Sequence, residues 1–350
     1  MGCALAVASL RGHLLGQGGG DKISHLCRTD ASLSLITRMA PDPARQDALV
    51  DATCRATKLS WWSTEADVVN SSKREIIDAY DNADSHAIAR RVSERFLVKR
   101  CVPGTGATEF SNQKHAWEKL DGSDIGNGRK MRIPRPVRCI QDRPPDSLPF
   151  DFIVMEFLDG VTVEDSLGEA NVSAATKAIH TIFEKTAKSD ERRQPGPVSG
   201  GQASGFPWGD SYCESAFSCV EDLQRCVDKR LRQRAIAKGQ PVSNLPLSGR
   251  QFGLCHMDLE LRNIIAMSNG DIAIVDWESA GYYPAEFELA SLTYWAGFCT
   301  GERREVMEGI CVSMARTCAH ISDCNLLHLV QSQSLAWSVS QRALKGCTLV

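Results

Sequence analysis

None of the 14 cysteines in this 350-residue chain belongs to a C-x-x-C pair. The closest neighbours, Cys213/Cys219/Cys226 and Cys311/Cys318/Cys324, stand six or seven residues apart. Zinc fingers and ribbons need ligand pairs about two to four residues apart, so those folds are excluded. The spacing fits helical packing positions, where a reduced thiol acts as a small hydrophobe; the cysteines are expected to stay out of the chemistry, in a cytoplasmic protein. No apolar run approaches the roughly 18 residues of a membrane-spanning helix, so no membrane partner is expected. A basic surplus is missing too: 40 Lys and Arg face 43 Asp and Glu, a formal net charge of −3. That balance argues against a nucleic-acid partner. The basic stretch Lys229–Arg234 therefore reads as the solvated face of a helix whose apolar side holds Val227 and Leu231. No internal repeat is present. The opening MGCALAVASL lacks a basic residue ahead of its apolar stretch, and Ala6 stands where a myristoylation pattern wants Ser or Thr, so neither signal is expected.

What the sequence does contain becomes regular only after about residue 60. Residues 1–60, with a glycine-rich stretch at 16–20, read as a weakly ordered or peripheral segment. Ala87–Val92 and Arg95–Arg100 read as two short strands around a Ser93-Glu94 turn. Phe110, Ala116, Trp117 and Leu120 recur near helical spacing, predicting a helix that ends at Asp121-Gly122. A polar loop over 122–130 leads to an extended Ile133-Pro134-Arg135-Pro136 segment. The run FDFIVMEFL, Phe150–Leu158, predicts a buried strand broken at Asp159-Gly160. Helices are predicted over Val172–Lys188 and Phe217–Ala237, and from Glu286 onward. The length allows two domains or lobes.

The chemistry concentrates between residues 255 and 288. Cys255-His256-Met257-Asp258 runs on to Asn263, and two β-branched apolar runs flank Asn269-Gly270, a strong hairpin signal. Such a hairpin places Asn263, at its start, beside Asp276, at its end, with Asp258 just upstream. Phosphoryl transfer needs a carboxylate to take the proton of an attacking hydroxyl, and oxygen ligands to hold Mg²⁺ against nucleotide phosphates. Asp258 suits the first role, Asn263 and Asp276 the second, and His256 suits a bracing role.

The pattern H-x-D-x-x-x-x-N followed by D-W-E at a strand end resembles the aminoglycoside phosphotransferase and choline kinase-like family. HMDLELRNII with IVDWESAGYYPAEFE looks most like its fungal phosphotransferase-domain members. The resemblance implies an α+β, bilobal protein-kinase-like fold with a small β-rich N-lobe and a larger, mostly helical C-lobe. It divides the chain into an N-lobe over 61–158 and a C-lobe over 159–350. It implies ATP and Mg²⁺ as cofactors, with Lys99 on the α- and β-phosphates and backbone groups of Glu156 and Leu158 at the adenine edge. The apolar phase of the intervening helix puts Gln113 where the family's lysine-pairing glutamate belongs, with Glu109 and Glu118 as alternatives. Asp81–Ala89 lacks the glycines of a phosphate-covering turn. Only seven residues separate Asp276 from Pro284, which leaves no room for an activation segment or peptide shelf. The expected partner is therefore a small hydroxylated substrate, read by the 194–210 loop, the 213–240 helix and the acids Glu286 and Glu288. Those two acids equally suit a helix start facing solvent. The competing reading is a kinase-like module that binds nucleotide or metabolite with weak or absent transfer, motivated by Gln113 and the glycine-poor turn.

Overall fold

The structure, a computed structural model, describes residues 62–317 except 84–86, 146–147, 187–193, 206, 209–214 and 243. The 1–60 segment, its terminal motifs, Cys213, and Cys318 and Cys324 lie outside the described residues, as do three positions of the glycine-poor turn.

Two short helices come first, α1 (Glu65–Asn70) and α2 (Lys73–Asp81), neither anticipated by the sequence reading. Both start in capping boxes, in which Thr64 pairs reciprocally with Asp67 and Ser72 with Glu75, so four terminal groups are satisfied locally. There follow β1 (Ala89–Arg91), β2 (Phe96–Cys101), the helix α3 (Gly106–Leu120), β3 (Ser123–Asp124), β4 (Lys130–Arg132), β5 (Pro136–Asp142) and β6 (Phe150–Glu156). Strands β1-β2-β6-β5 form an antiparallel sheet in that order. Side chains alternate across it. Phe96 and Val98 face a core with Ile76, Tyr80 and Trp62, and the opposite face carries Leu97, Cys101, Ile153 and Met155 toward Phe110 of α3. Lys99 shares that second face. The sheet is thus sandwiched between α1–α2 and α3, and its lysine points to the side where the lobes meet.

Beyond β6 come β7 (Gly160–Thr162), α4 (Glu169–Thr186), α5 (Val220–Lys238), β8 (Phe252–Cys255), β9 (Ile264–Met267), β10 (Ile272–Ile274), β11 (Gly281–Pro284), α6 (Glu286–Ala296) and α7 (Gly301–Thr317). The predicted hairpin is β9–β10, with Ala273 opposite Ile265 and its turn closed by Gly270 at φ +87°. It sits within a second sheet, β3-β4-β10-β9-β7. The loop expected over 122–130 thus holds β3 and the start of β4, which join the sheet of the hairpin with β4 parallel to β10. These strands are short, β3 pairing with β4 and β4 alone pairing with the distant β10.

The larger core gathers α3, α4, the hairpin, α6 and α7 around Ile179, Ile182, Ile264, Ile274 and Trp277. A neighbouring one joins Leu223, Val227 and Leu231 of α5 to Trp208, Tyr283 and Phe287. Part of the Lys229–Arg234 stretch is structural, since Arg230 donates to the carbonyls of Pro207 and Trp208 and lies over the Trp208 ring. Among the described residues no helix is long and apolar enough to cross a membrane.

Candidate active site

The hairpin does what its sequence requires. Val275 N–H donates to the Asn263 carbonyl at 3.0 Å, so the residue after β10 lies against the residue before β9. The chain then turns sharply. Asp276 adopts the left-handed region at φ 67°, uncommon outside glycine but tolerated by Asp. Its side chain meets Lys99 of the first sheet, Nζ to Oδ1 at 2.8 Å. Lys99 also donates to Glu109 Oε1 at 2.7 Å and lies 4.0 Å from Glu278. One ammonium therefore joins β2, α3 and the D-W-E turn.

The α3 side chain at Lys99 is Glu109, one of the two alternatives, and not the expected Gln113. Gln113, one turn further along α3, instead donates to the Pro134 carbonyl at 2.7 Å and contacts the Met155 sulfur. It backs the strand that carries Glu156 and does not reach the lysine. Cys101 packs beside the Lys99–Glu109 pair. Its thiol donates to Glu109 Oε2 at 3.4 Å, so one cysteine holds the free oxygen of a site carboxylate. Burial pushes that thiol far above its ordinary range, which makes it a neutral donor and no nucleophile.

On the catalytic-loop side, Asp258 accepts from Asn263 Nδ2 at 2.9 Å and from Arg262 at 3.2 Å. Asn263 also donates to the Asp258 carbonyl at 2.8 Å, so its NH₂ is committed to Asp258 and Oδ1 is its remaining ligand atom. His256 is fully buried between Trp277 and the hairpin, with Nε2 2.9 Å from the Val275 carbonyl and Nδ1 accepting the Asp258 N–H at 3.3 Å. The proton therefore sits on Nε2, and burial pushes the imidazole down to about 4. A neutral histidine with both nitrogens engaged braces the loop.

Glu288, at the start of α6, is completely buried and accepts the backbone N–H groups of His256 and Met257. Ser291 one turn later donates to the Met257 carbonyl at 2.7 Å, which fixes Met257 in its left-handed conformation at φ 67°. Glu286 pairs with Arg250 at 2.8 Å. Neither acid has the open-solvent setting that was one of the two expectations. Glu288 belongs to the scaffold of the loop, and Glu286 ties the start of α6 to the segment ahead of β8. Nothing local in the sequence marks Glu288, because the two N–H groups that justify its burial lie some thirty residues away.

Glu156 ends β6, and its N–H donates to the Arg135 carbonyl at 2.9 Å; Leu158 follows, buried. A cavity of about 260 Å³ opens between the start of α3 and the 201–204 segment, lined by Thr105, Thr108, Gln202, Ser204 and Glu278 among others.

Charge is distributed unevenly across the site. Burial opposes ionisation of Lys99, yet Asp276, Glu109 and Glu278 hold it well above its usual range. Burial likewise works against the Asp276 carboxylate, but Lys99 outweighs it and holds that group well below the ordinary range. Asp258 is pushed up to about 8 by burial, with Arg262 opposing. Glu109 is pushed up to about 7 by burial despite Lys99.

A small antiparallel sheet carrying a paired lysine, joined to a helical lobe with an H-x-D loop and a D-W-E hairpin, makes up a bilobal, protein-kinase-like fold. The model of the phosphotransferase enzyme family matches residues 75–314, and the chain belongs to that family. Among solved structures it is similar to a thermostable mutant of aminoglycoside phosphotransferase APH(4)-Ia in apo form, with 14% identity, a TM-score of 0.46, and 71% of this chain and 80% of that one covered. It is also similar to an aminoglycoside-3'-phosphotransferase of type VIII, with 11% identity, a TM-score of 0.41, and 72% and 91% covered. For an aminoglycoside phosphotransferase from Alicyclobacillus acidocaldarius the values are 13%, 0.32, and 79% and 95%. A search among curated proteins returns no match.

Proposed function

We propose that this protein transfers the γ-phosphate of ATP to a hydroxyl group of a small molecule, with Asp258 as the base. The observation that carries this reading is the single constellation formed by Lys99–Asp276 and Asp258–Asn263 at the two ends of one hairpin. In the step proposed, the acceptor oxygen forms a bond to the γ-phosphorus and its proton passes to Asp258. The bond from that phosphorus to the bridging oxygen breaks, and ADP leaves. Lys99 would hold the α- and β-phosphates, relaying between them and Asp276. The Glu156 carbonyl and Leu158 backbone would meet the adenine edge at the cleft between residues 61–158 and 159–350.

The donor set fits a divalent cation. Asp276 is held ionised, Asn263 offers an amide oxygen, and Glu109, Asp276 and Glu278 cluster within 4.8 Å around one lysine. Mg²⁺, held by Asn263 and Asp276, would supply charge neutralisation on the phosphates. The polar cavity beside Glu278 and the 194–210 loop support a small hydroxylated acceptor. A cytoplasmic setting suits ATP as donor and the seven free cysteines of the described residues. The binding-module reading loses its main motive, because Lys99 has its carboxylate in Glu109.

The test is incubation of the purified protein with γ-labelled ATP, Mg²⁺ and fractionated hydroxylated metabolites. Label is expected in a small-molecule product and is expected to vanish in Asp258→Asn. Nucleotide binding without transfer across all fractions would establish the binding module instead. Undiminished transfer by the variant would remove Asp258 from the mechanism.

A further inference from the structure

Helix α3 carries a buried polar residue that the phosphotransfer reading does not use. Asn112 is fully buried, one turn beyond Glu109 on the flank facing the helical lobe. Its Nδ2 donates to the carbonyls of Ala280 at 2.8 Å and Trp277 at 3.2 Å, with the Glu278 carbonyl at 3.5 Å. Its Oδ1 accepts the Val198 N–H at 2.9 Å. The amide orientation is fixed by these partners, since carbonyls need the NH₂ end and an N–H needs the oxygen. One side chain from the N-lobe helix thus spans the D-W-E turn and the 196–205 segment that packs on it.

That turn needs holding. Asp276 sits at φ 67°, and the three residues after it form a single tight turn that leads into β11. The carbonyls of Trp277 and Ala280 bracket this turn, so fixing both fixes the direction in which Asp276 leaves the hairpin. Gln113 points to the other side of α3, and His115, Nε2 2.6 Å from the Tyr282 hydroxyl, ties the helix to β11 outside the turn. Among these three, only Asn112 engages the backbone of the turn itself.

We propose that Asn112 is a positioning residue for the metal-binding turn: through the carbonyls of Trp277 and Ala280 it sets the placement of Asp276 and thereby the affinity for a divalent cation beside the nucleotide. The proposal rests on the phosphotransfer reading of the site. Groups that orient metal ligands from behind typically change metal affinity by about 10- to 100-fold when removed.

The test is titration of Mn²⁺ into protein saturated with ADP, followed by the electron paramagnetic resonance of free Mn²⁺, with ADP affinity measured separately in chelator. Asn112→Ala removes all the bonds; Asn112→Asp keeps the shape and the acceptor for Val198 but loses the donor. Tyr282→Phe is the control, since it loosens the same helix at His115 without touching the turn. Both Asn112 variants are expected to weaken Mn²⁺ binding about 10- to 100-fold, with ADP affinity in chelator changed by less than about 3-fold. Tyr282→Phe is expected to bind Mn²⁺ as the wild type does, even where its melting temperature falls. Wild-type Mn²⁺ affinity in either Asn112 variant overturns the proposal and leaves the phosphotransfer reading intact. An equal loss in Tyr282→Phe overturns it too, since that outcome makes Asn112 merely part of the helix anchor. A wild-type protein that takes up no Mn²⁺ with ADP overturns the phosphotransfer reading itself.

Discussion

Two aspartates stand at either end of the same hairpin, and their surroundings treat them in opposite ways. Asp276 lies against the Lys99 ammonium at 2.8 Å and is held well below the ordinary carboxylate range although burial works the other way. Asp258 is also buried, but its nearest cation is Arg262, which is shared with Glu260 and lies over the Trp295 ring. There burial prevails, and the carboxyl rises to about 8. Identical side chains are thus prepared for different work by which element faces them. The first sheet delivers a cation to one and withholds it from the other. Pairs of titratable groups pushed apart in this way differ in charge near neutral pH, one carboxyl favouring its protonated form and the other a fixed anion.

The strongest way to break the comparison is to neutralise each aspartate in turn. Asp258→Asn is expected to lower kcat by about 100- to 10,000-fold, the typical contribution of a positioned general base, while leaving metal-dependent nucleotide binding intact. Asp276→Asn is expected to lower kcat at least as far and also to abolish the metal-dependent part of a thermal shift with ADP. Equal metal-dependent shifts in both variants would mean that the two carboxylates share one role.

A smaller effect separates Glu109 from Gln113. Removing one partner of a buried ion pair costs on the order of 3 kcal/mol. Glu109→Gln leaves Lys99 with Asp276 as its nearest carboxylate and frees the Cys101 thiol from its acceptor. It is expected to lose about that much in denaturant unfolding and to raise KM for ATP more than it lowers kcat. Gln113→Leu removes a hydrogen bond to Pro134 but no charge, so about 1 kcal/mol and an unchanged KM for ATP are expected. The reverse ranking in KM would put Gln113 back at the lysine.

The difference between these two helix positions also shows where sequence reading stops. The hairpin, the H-x-D loop and the D-W-E turn were legible because each is local: Asn269-Gly270 closes the turn, and alternation fixes which ends meet. The helical phase of α3 was not. Its apolar residues face two ways, Phe110 toward the first sheet and Ala116 and Leu120 toward the larger core. A stripe divided between two partners does not say which flank meets the lysine. Strand β4 was missed for a related reason, since it enters the sheet beside β10, about 140 residues further on, and β3 pairs only with β4. Leading acids on a helix ordinarily signal solvent, and Glu288 is an exception that only tertiary contacts reveal.

The smallest expected effect concerns the support of Asp258. Glu288 is raised by burial to about 7, against an ordinary value of 4.5, despite the N–H groups of His256 and Met257 that favour its charge. A carboxyl whose value is higher folded than unfolded binds more protons in the folded state across that window. Stability from this group is therefore greatest below about pH 4.5 and is lost as pH rises toward 7. Glu288→Gln has no such term and resembles the protonated acid, so wild type and variant should melt most alike near pH 5. The wild type should then fall steadily relative to the variant up to pH 7.5, other titrating groups being common to both. A gap that is constant with pH would show that Glu288 keeps its charge when folded, held by the two backbone donors alone. In that case the loop beneath Asp258 would carry a second fixed anion, and the contrast between the two ends of the hairpin would rest on Lys99 alone.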